Sequence, residues 1–367
     1  MKILRLLIYL FLLLCLNSSC HTQTVSEQQS QPVETQVRSE SDTLRFTSGI
    51  RAIYQDRKGN FWFGSLQEGV ALYTGSSFHY FTAQDGLSDN QIHAIQEDIH
   101  GVIWFETPSG VSSYDGQRMV DHTNLGPGAA STTFSFLPKA TQPSAWMKSE
   151  DDLWFAAGNA SSVFRYDGKQ LHRLDLPPQK VLHSNDNLFA VTDISKGHDR
   201  IWFATYAGVF GYNGREFSLI LDETVGFDRK KGPLHIRSIL EDSKGRLWIG
   251  NNGMGVLLKE GVAIRHFSMD YQLFHPKSKR NGEKSPPGTL EHVFTIGEDH
   301  QGKIWFGDRD AGIWKFDGSK MQNFSKKEGL VNDFALSIFE DRQKVLWFGM
   351  ANGQVYQWNG HSFERRF

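Results

Sequence analysis

Short apolar runs recur along most of this chain, and seven of them are built around a tryptophan: Trp62, Trp104, Trp154, Trp202, Trp248, Trp305 and Trp347. Examples are Phe61 to Gly64, Ile103 to Phe105, Ile201 to Phe203, Leu247 to Gly250 and Ile304 to Gly307. Upstream of most lies an acidic turn with glycine, as in Gln55, Asp56 and Gly59; Glu97, Asp98 and Gly101; Glu241, Asp242 and Gly245; and Glu298, Asp299 and Gly302. Downstream comes a second turn, at Thr74-Gly75, Asp115-Gly116, Asp167-Gly168, Asn213-Gly214, Glu260-Gly261, Asp317-Gly318 and Asn359-Gly360. Asp-Gly and Asn-Gly pairs favour the positive φ of tight hairpins. Apolar runs punctuated in this way predict four short strands per unit, repeated seven times.

From each tryptophan to the glycine of its second turn the distance is 12 to 14 residues, whereas from one tryptophan to the next it ranges from 42 to 57. Length therefore varies between units, not within them. The expected fold is all-β, a seven-bladed β-propeller of four-stranded blades over residues 43–367, closed radially so that few strand edges are exposed. Burying one tryptophan removes ~150 to 250 Å² from water, a gross gain of ~4 to 6 kcal/mol. That places these residues in the blade core rather than against a ligand. Thr43 to Thr47 and His361 to Phe367 both read as a final fourth strand, and one of the two is expected to close the ring.

Before the repeats, Met1 and Lys2 lead into an apolar run from Leu4 to Leu16, followed by Asn17, Ser18, Ser19 and Cys20. This is the charged start, short apolar core and small-residue exit of a secretory signal over residues 1–19. The run falls well short of the ~20 residues that cross a bilayer as a helix. Its exit resembles a lipobox, which implies lipidation at Cys20, with Asn17 standing where leucine is usual. Cys15 and Cys20 are the only cysteines, so the mature body relies on its core and not on disulfides. Residues 20–42, rich in Gln, Ser, Thr and Glu, read as a disordered tether that holds the body ~25 Å from the membrane. The expected location is the cell envelope, lipid-anchored at the outer membrane or facing the periplasm, with the membrane a partner through the lipid alone.

Lysine plus arginine number 39 and aspartate plus glutamate 41. This balance removes the electrostatic case for nucleic acid as a partner. The sequence carries no phosphate-cradling loop, no dinucleotide fingerprint, no H-E-x-x-H and no G-x-S-x-G. The repeat body has no cysteine, which excludes thiol chemistry and cysteine zinc sites. No catalytic residue, metal or cofactor is expected.

Units such as Ile236 to Phe267, with Ile-Leu-Glu-Asp-Ser-Lys-Gly-Arg-Leu-Trp-Ile-Gly, resemble the two-component regulator propeller repeat. So do the Asp85-Gly86-Leu87 and Glu328-Gly329-Leu330 steps between units. In that family the repeats form periplasmic sensors of hybrid histidine kinases, often with carbohydrate-related ligands. The resemblance implies a propeller fold and a ligand-binding habit; this chain shows no later membrane helix and no kinase segment.

With strands running from hub to rim, the acidic turns and the Asp-Gly turns share one face. The loops between second and third strands and the crossings between blades share the other. All long insertions fall in crossings: Asp121 to Gln142, Leu174 to Asn187, Leu221 to Leu234 and Met269 to Leu290. Loops on a rigid scaffold carry function, so the crossing face is the candidate binding surface. Residues at the start of the innermost strands, Arg51, His93, His235, Arg237, His292 and Phe294, are expected at its mouth. The loop residues Asn251, Asp308, Arg309 and Asp310 are expected beside them. The implied function is a non-catalytic ligand-binding or sensory propeller, with carbohydrate or another small ligand as partner. An envelope-protein scaffold and a lyase or lactonase-type propeller are the alternatives.

Overall fold

Each tryptophan run becomes the second strand of a blade, because its apolar side chains face the neighbouring blade on one side and its own third strand continues the sheet. The computed structural model describes residues 38–122, 135–136, 152–156, 158, 161–177, 189–225, 234–275 and 283–367. Blade 1 holds β1 (Arg38–Ser41), β2 (Ile50–Gln55), β3 (Phe61–Ser65), β4 (Val70–Tyr73) and β5 (Phe78–Phe81). Blade 2 holds β6 (Ala94–Glu97), β7 (Ile103–Thr107), β8 (Gly110–Tyr114) and β9 (Met119–Asp121). Blade 3 holds β10 (Ser135–Phe136), β11 (Leu153–Ala156), β12 (Ser162–Tyr166) and β13 (Leu171–Asp175). Blade 4 holds β14 (Val191–Lys196), β15 (Ile201–Thr205), β16 (Gly208–Tyr212) and β17 (Phe217–Leu221). Blade 5 holds β18 (Ile236–Glu241), β19 (Leu247–Asn251), β20 (Gly255–Glu260) and β21 (Ala263–His266). Blade 6 holds β22 (Val293–Glu298), β23 (Ile304–Asp308), β24 (Ile313–Phe316) and β25 (Met321–Phe324), and blade 7 holds β26 (Ala335–Glu340), β27 (Leu346–Met350), β28 (Val355–Trp358) and β29 (Phe363–Arg365).

Blades 2 and 4 to 7 are antiparallel meanders in chain order, and the whole is a seven-bladed β-propeller. Two sheets depart from the simple pattern. In blade 1, β1 adds a fifth strand outside β5, from the segment read as tether. In blade 3, the two-residue β10, supplied by the preceding insertion, lies parallel to β13 at the rim.

The core lies between blades. Seven buried apolar clusters each join two neighbouring blades, and the seventh joins blade 7 to blade 1. Each register tryptophan points into the next blade's cluster, and none is more than 5% exposed. The acidic turns turn out to serve this core. Asp56, Asp98, Asp242, Asp299 and Asp341 each accept the indole N–H of their own tryptophan, at 2.8 to 3.0 Å. The residue just before each aspartate reaches the neighbouring blade. Glu97, Glu241, Glu298, Glu340 and Gln55 accept the turn N–H of Arg57, His198, Ser243, His300 and Arg342.

The ring closes without strand exchange, the segment near His361 to Phe367 supplying the last blade's own fourth strand. Blade 1 and blade 7 each own a fourth strand, β5 and β29, and residues 42–47 form no strand. The seam is made by side chains instead. Phe367 packs edge-on against Phe63, Tyr73 and Phe78. Phe46 is buried in the same cluster, and Glu68 accepts the N–H of Thr47 and Ser48 at 2.9 and 2.7 Å. The expected signal sequence and Cys20 lie outside the described residues.

Candidate functional site

The innermost strands carry a repeated irregularity near their starts. In blades 1, 4, 5, 6 and 7 the pairing with the second strand skips one residue, which is Arg51, Thr192, Arg237, Phe294 or Leu336. In blade 2, His93 holds the same register, one residue before the Ala94–Glu106 pair. Such bulges kink the strand and re-aim one side chain. All six of these residues are half-buried. Arg51 feels the charges of Glu106, Arg237 and Asp193 and the Tyr206 hydroxyl, which come from blades 2, 5 and 4. Groups from such widely separated blades act on one guanidinium only near the propeller axis, so the bulge ring lines the channel mouth on the crossing face.

One side of the mouth is aromatic. The Arg237 guanidinium lies 5.1 Å from the Tyr206 ring and 5.1 Å from the Phe294 ring, between the two. Phe294 meets Phe334 edge-on at 4.9 Å, and Tyr206 meets His235 at 5.0 Å. Arg237 donates Nη1 to the Tyr206 hydroxyl at 3.4 Å, while its buried Nε has no acceptor. Burial, then the Arg237 and His292 charges, lowers the His235 imidazole to about 4, so it is neutral at pH 7.

The opposite side is acidic and was not singled out in the sequence. Glu106 accepts the backbone N–H of Ala156 in blade 3 at 2.8 Å, and its other oxygen is 3.7 Å from His93 Nδ1. Asp193 accepts the N–H of Ile194 and of Ile239, both at 2.8 Å. Burial pushes the Asp193 carboxyl up to about 7, with the Glu106 charge adding to the effect and Arg51 opposing it. Burial also lowers His93, whose Nε2 has no partner. A cavity of about 370 Å³ lies here, lined by His93, Gln96, Glu106, Trp154, Thr192 and Asp193. A signal for both acids exists in the sequence. The second residue after the register tryptophan is Gly64, Ala156, Ala204, Gly250, Gly307 or Gly349, and Glu106 alone breaks that run of small residues. Likewise Asp193 stands where the other described blades have Ala52, Ala94, Ser238, Thr295 and Ser337.

The structure brings Arg51, His93, His235, Arg237 and Phe294 to the mouth. His292 is buried below it, bonded through Nδ1 to Asn252 at 2.6 Å, and burial lowers its pKa. The loop residues are held by the scaffold. Asn251 and Asp308 end β19 and β23 in the register where Ser65, Thr107 and Thr205 cap their turns. Asp308 accepts four backbone N–H groups, from Glu291, His292, Asp310 and Ala311. Arg309 donates to the Glu283 carbonyl at 2.7 Å and Asp310 accepts the Ser285 N–H at 3.0 Å, so both pin the last long insertion to blade 6.

The two component regulator propeller model matches residues 45–67 and 231–253, within blades 1 and 5. A comparison with curated proteins gives no match. Among solved structures, the chain is similar to an extracellular domain assigned to a hybrid two component system of B. thetaiotaomicron, with 19% identity and a TM-score of 0.59. That match covers 87% of this chain but 39% of the other, so this chain spans well under half of that domain's length. It is also similar to virginiamycin B lyase from Staphylococcus aureus, solved as a catalytically inactive variant with quinupristin, at 14% identity and a TM-score of 0.60 over 87% of this chain and 97% of that one. A streptogramin B lyase gives 13% identity and a TM-score of 0.61 over 89% and 97%. At these identities the likenesses establish the propeller fold. The matched segments hold the Trp62 and Trp248 strands, so the blade 1 and blade 5 units are the ones that match the two component regulator propeller repeat.

Proposed function

We propose that the crossing-face mouth of the channel binds a small ligand, with saccharides the class it suits, and that the chain is a binding or sensory propeller rather than an enzyme. The observation that carries this reading is the half-buried stack of Tyr206, Arg237, Phe294 and Phe334. Aromatic faces and a planar guanidinium give a sugar ring apolar contact and directional donors together, on a scaffold that needs no rearrangement. The resemblance to extracellular sensor domains supports the same reading. In this reading the signal over residues 1–19 is removed, Cys20 carries the lipid, and residues 20–42 connect the propeller to the envelope membrane.

The test is a thermal-shift screen of the chain from His21 onward against poly- and oligosaccharides. A ligand at ~100 times its Kd adds ~2.7 kcal/mol to stability. The shift is expected to vanish in Phe294→Ala and Tyr206→Ala, and a shift that survives both changes moves the site elsewhere. No shift with any glycan favours docking of an envelope protein on this face, the scaffold alternative. The lyase alternative rests on His93 beside Glu106 in the cavity. Turnover of a lactone or glycan, abolished by His93→Ala while binding persists, would establish it.

A further inference from the structure

The bulge ring places two arginines in the mouth, and among the described residues neither has all its donors satisfied. Arg51 is half-buried near the axis and forms no hydrogen bond or ion pair with a described residue. Arg237 lies 5.1 Å from the Tyr206 and Phe294 ring centroids and uses one N–H, on a neutral hydroxyl, leaving Nε without an acceptor. The carboxylates nearest to them do not supply what is missing. Glu106 is engaged by the Ala156 N–H and faces His93, and Asp193 is engaged by two backbone N–H groups. Burial also draws Asp193 toward its neutral form, and among the described residues no carboxylate forms an ion pair with either guanidinium. A guanidinium presents its N–H groups as a fork that matches a carboxylate or sulfate, and ionised acceptors give bonds about twice as strong as neutral ones.

We infer that the ligand of this mouth is a saccharide bearing an anionic group, a carboxylate or a sulfate, held by Arg51 and Arg237 while its ring lies on Phe294 and Phe334. The inference rests on the ligand-binding reading above and adds the charge of the ligand. It gives the two arginines from blades 1 and 5 a partner that Glu106 and Asp193, each held by backbone N–H groups, do not supply. At the two guanidiniums the free groups are donors, which an ionised oxygen acceptor satisfies most strongly.

Matched glycan pairs test it on the chain from His21 onward. One pair is an oligogalacturonide and its methyl ester, which keeps the rings and removes the charge; the other is a heparin-derived oligosaccharide and its desulfated form. The anionic member of at least one pair is expected to bind ~10-fold or more tightly than its partner. Arg51→Gln and Arg237→Gln, each checked for an unchanged melting curve without ligand, are expected to bring that ratio close to one. Preference for the carboxylate pair or the sulfate pair identifies the group. Equal binding of charged and uncharged members overturns the inference and leaves the ligand-binding reading standing. A preference that persists in both arginine variants overturns it too. Binding of no member of either pair, alongside binding of neutral glycans, overturns the anionic ligand alone; failure of every glycan removes both readings.

Discussion

On the turn face, Asp242 accepts four hydrogen bonds from its own blade, from the Trp248 indole, the Lys244 and Arg246 N–H groups and the Arg246 side chain. On the crossing face Asp193, within innermost strand β14, accepts two, and burial pushes its carboxyl up to about 7. The first arrangement recurs in five blades with the same spacing, and the second occurs once. Repetition marks the groups that build the ring, because every blade needs the same turn and the same tryptophan anchor. Departure from the repeat marks the groups that make one blade different from another at the mouth, where Arg51, His93, Thr192, Arg237, Phe294 and Leu336 share one register and little chemistry.

The comparison breaks most severely at Asp242. Asp242→Ala leaves the buried Trp248 N–H and two backbone N–H groups without acceptors and strips Arg246 of its partner, at a cost of ~3 to 5 kcal/mol in denaturant unfolding. A loss under ~1 kcal/mol would show that the repeated aspartates do not hold the core. Phe367→Ala comes next. Its ring fills the seam between blades 7 and 1, and removing it should cost ~2 to 4 kcal/mol. An unchanged stability would leave ring closure to the Trp347 and Phe46 packing and the Gln55 contacts.

Asp193 sharpens the contrast through pH. Its folded pKa is raised above the unfolded value of ~3.9, so the native state holds the extra proton between the two values. The contribution of the protonated group is full below pH ~4 and is lost as pH rises through about 7. The melting temperature of the parent chain, minus that of Asp193→Asn, should therefore fall steadily from pH 4 to pH 8. A flat difference would mean that the folded and unfolded chains hold the Asp193 proton alike.

The turn face was legible in the sequence because its contacts are short-range. An aspartate, the N–H groups two and four residues on, and an indole six residues on form a pattern that recurs in blades 2, 5, 6 and 7, and blade 1 keeps the second N–H and the indole. Arg51, Arg237 and Phe294 could also be placed at the mouth from strand order. Glu106 and Asp193 were visible as breaks in a run of small residues, yet their meaning depends on blades 2 and 4 both facing the axis, which no local pattern states. The same limit hid the closure. Phe46 and Phe367 are ordinary apolar residues until the two ends of the chain meet, and the Arg-Ser-Glu-Ser segment of β1 has no alternation to announce a strand.

The smallest effect concerns a flaw in the repeat itself. Three residues before the tryptophan, the turns of blades 1, 2, 5 and 6 have glycine, at φ of 88, 81, 74 and 73°, and blade 7 has Lys344 at φ 67°. A side chain in that left-handed region costs ~1 kcal/mol, which glycine avoids, while glycine's greater freedom in the unfolded chain takes part of the gain back. The Lys344 ammonium is 3.8 Å from Glu340, an exposed pair of little value. Lys344→Gly should therefore stabilise the propeller by ~0.5 kcal/mol, read as a small rise in denaturation midpoint with an unchanged slope. If it destabilises instead, the Glu340 contact matters more than the backbone. The seam between blades 6 and 7, where Glu340 accepts the His300 N–H, would then draw on the Lys344 charge as well.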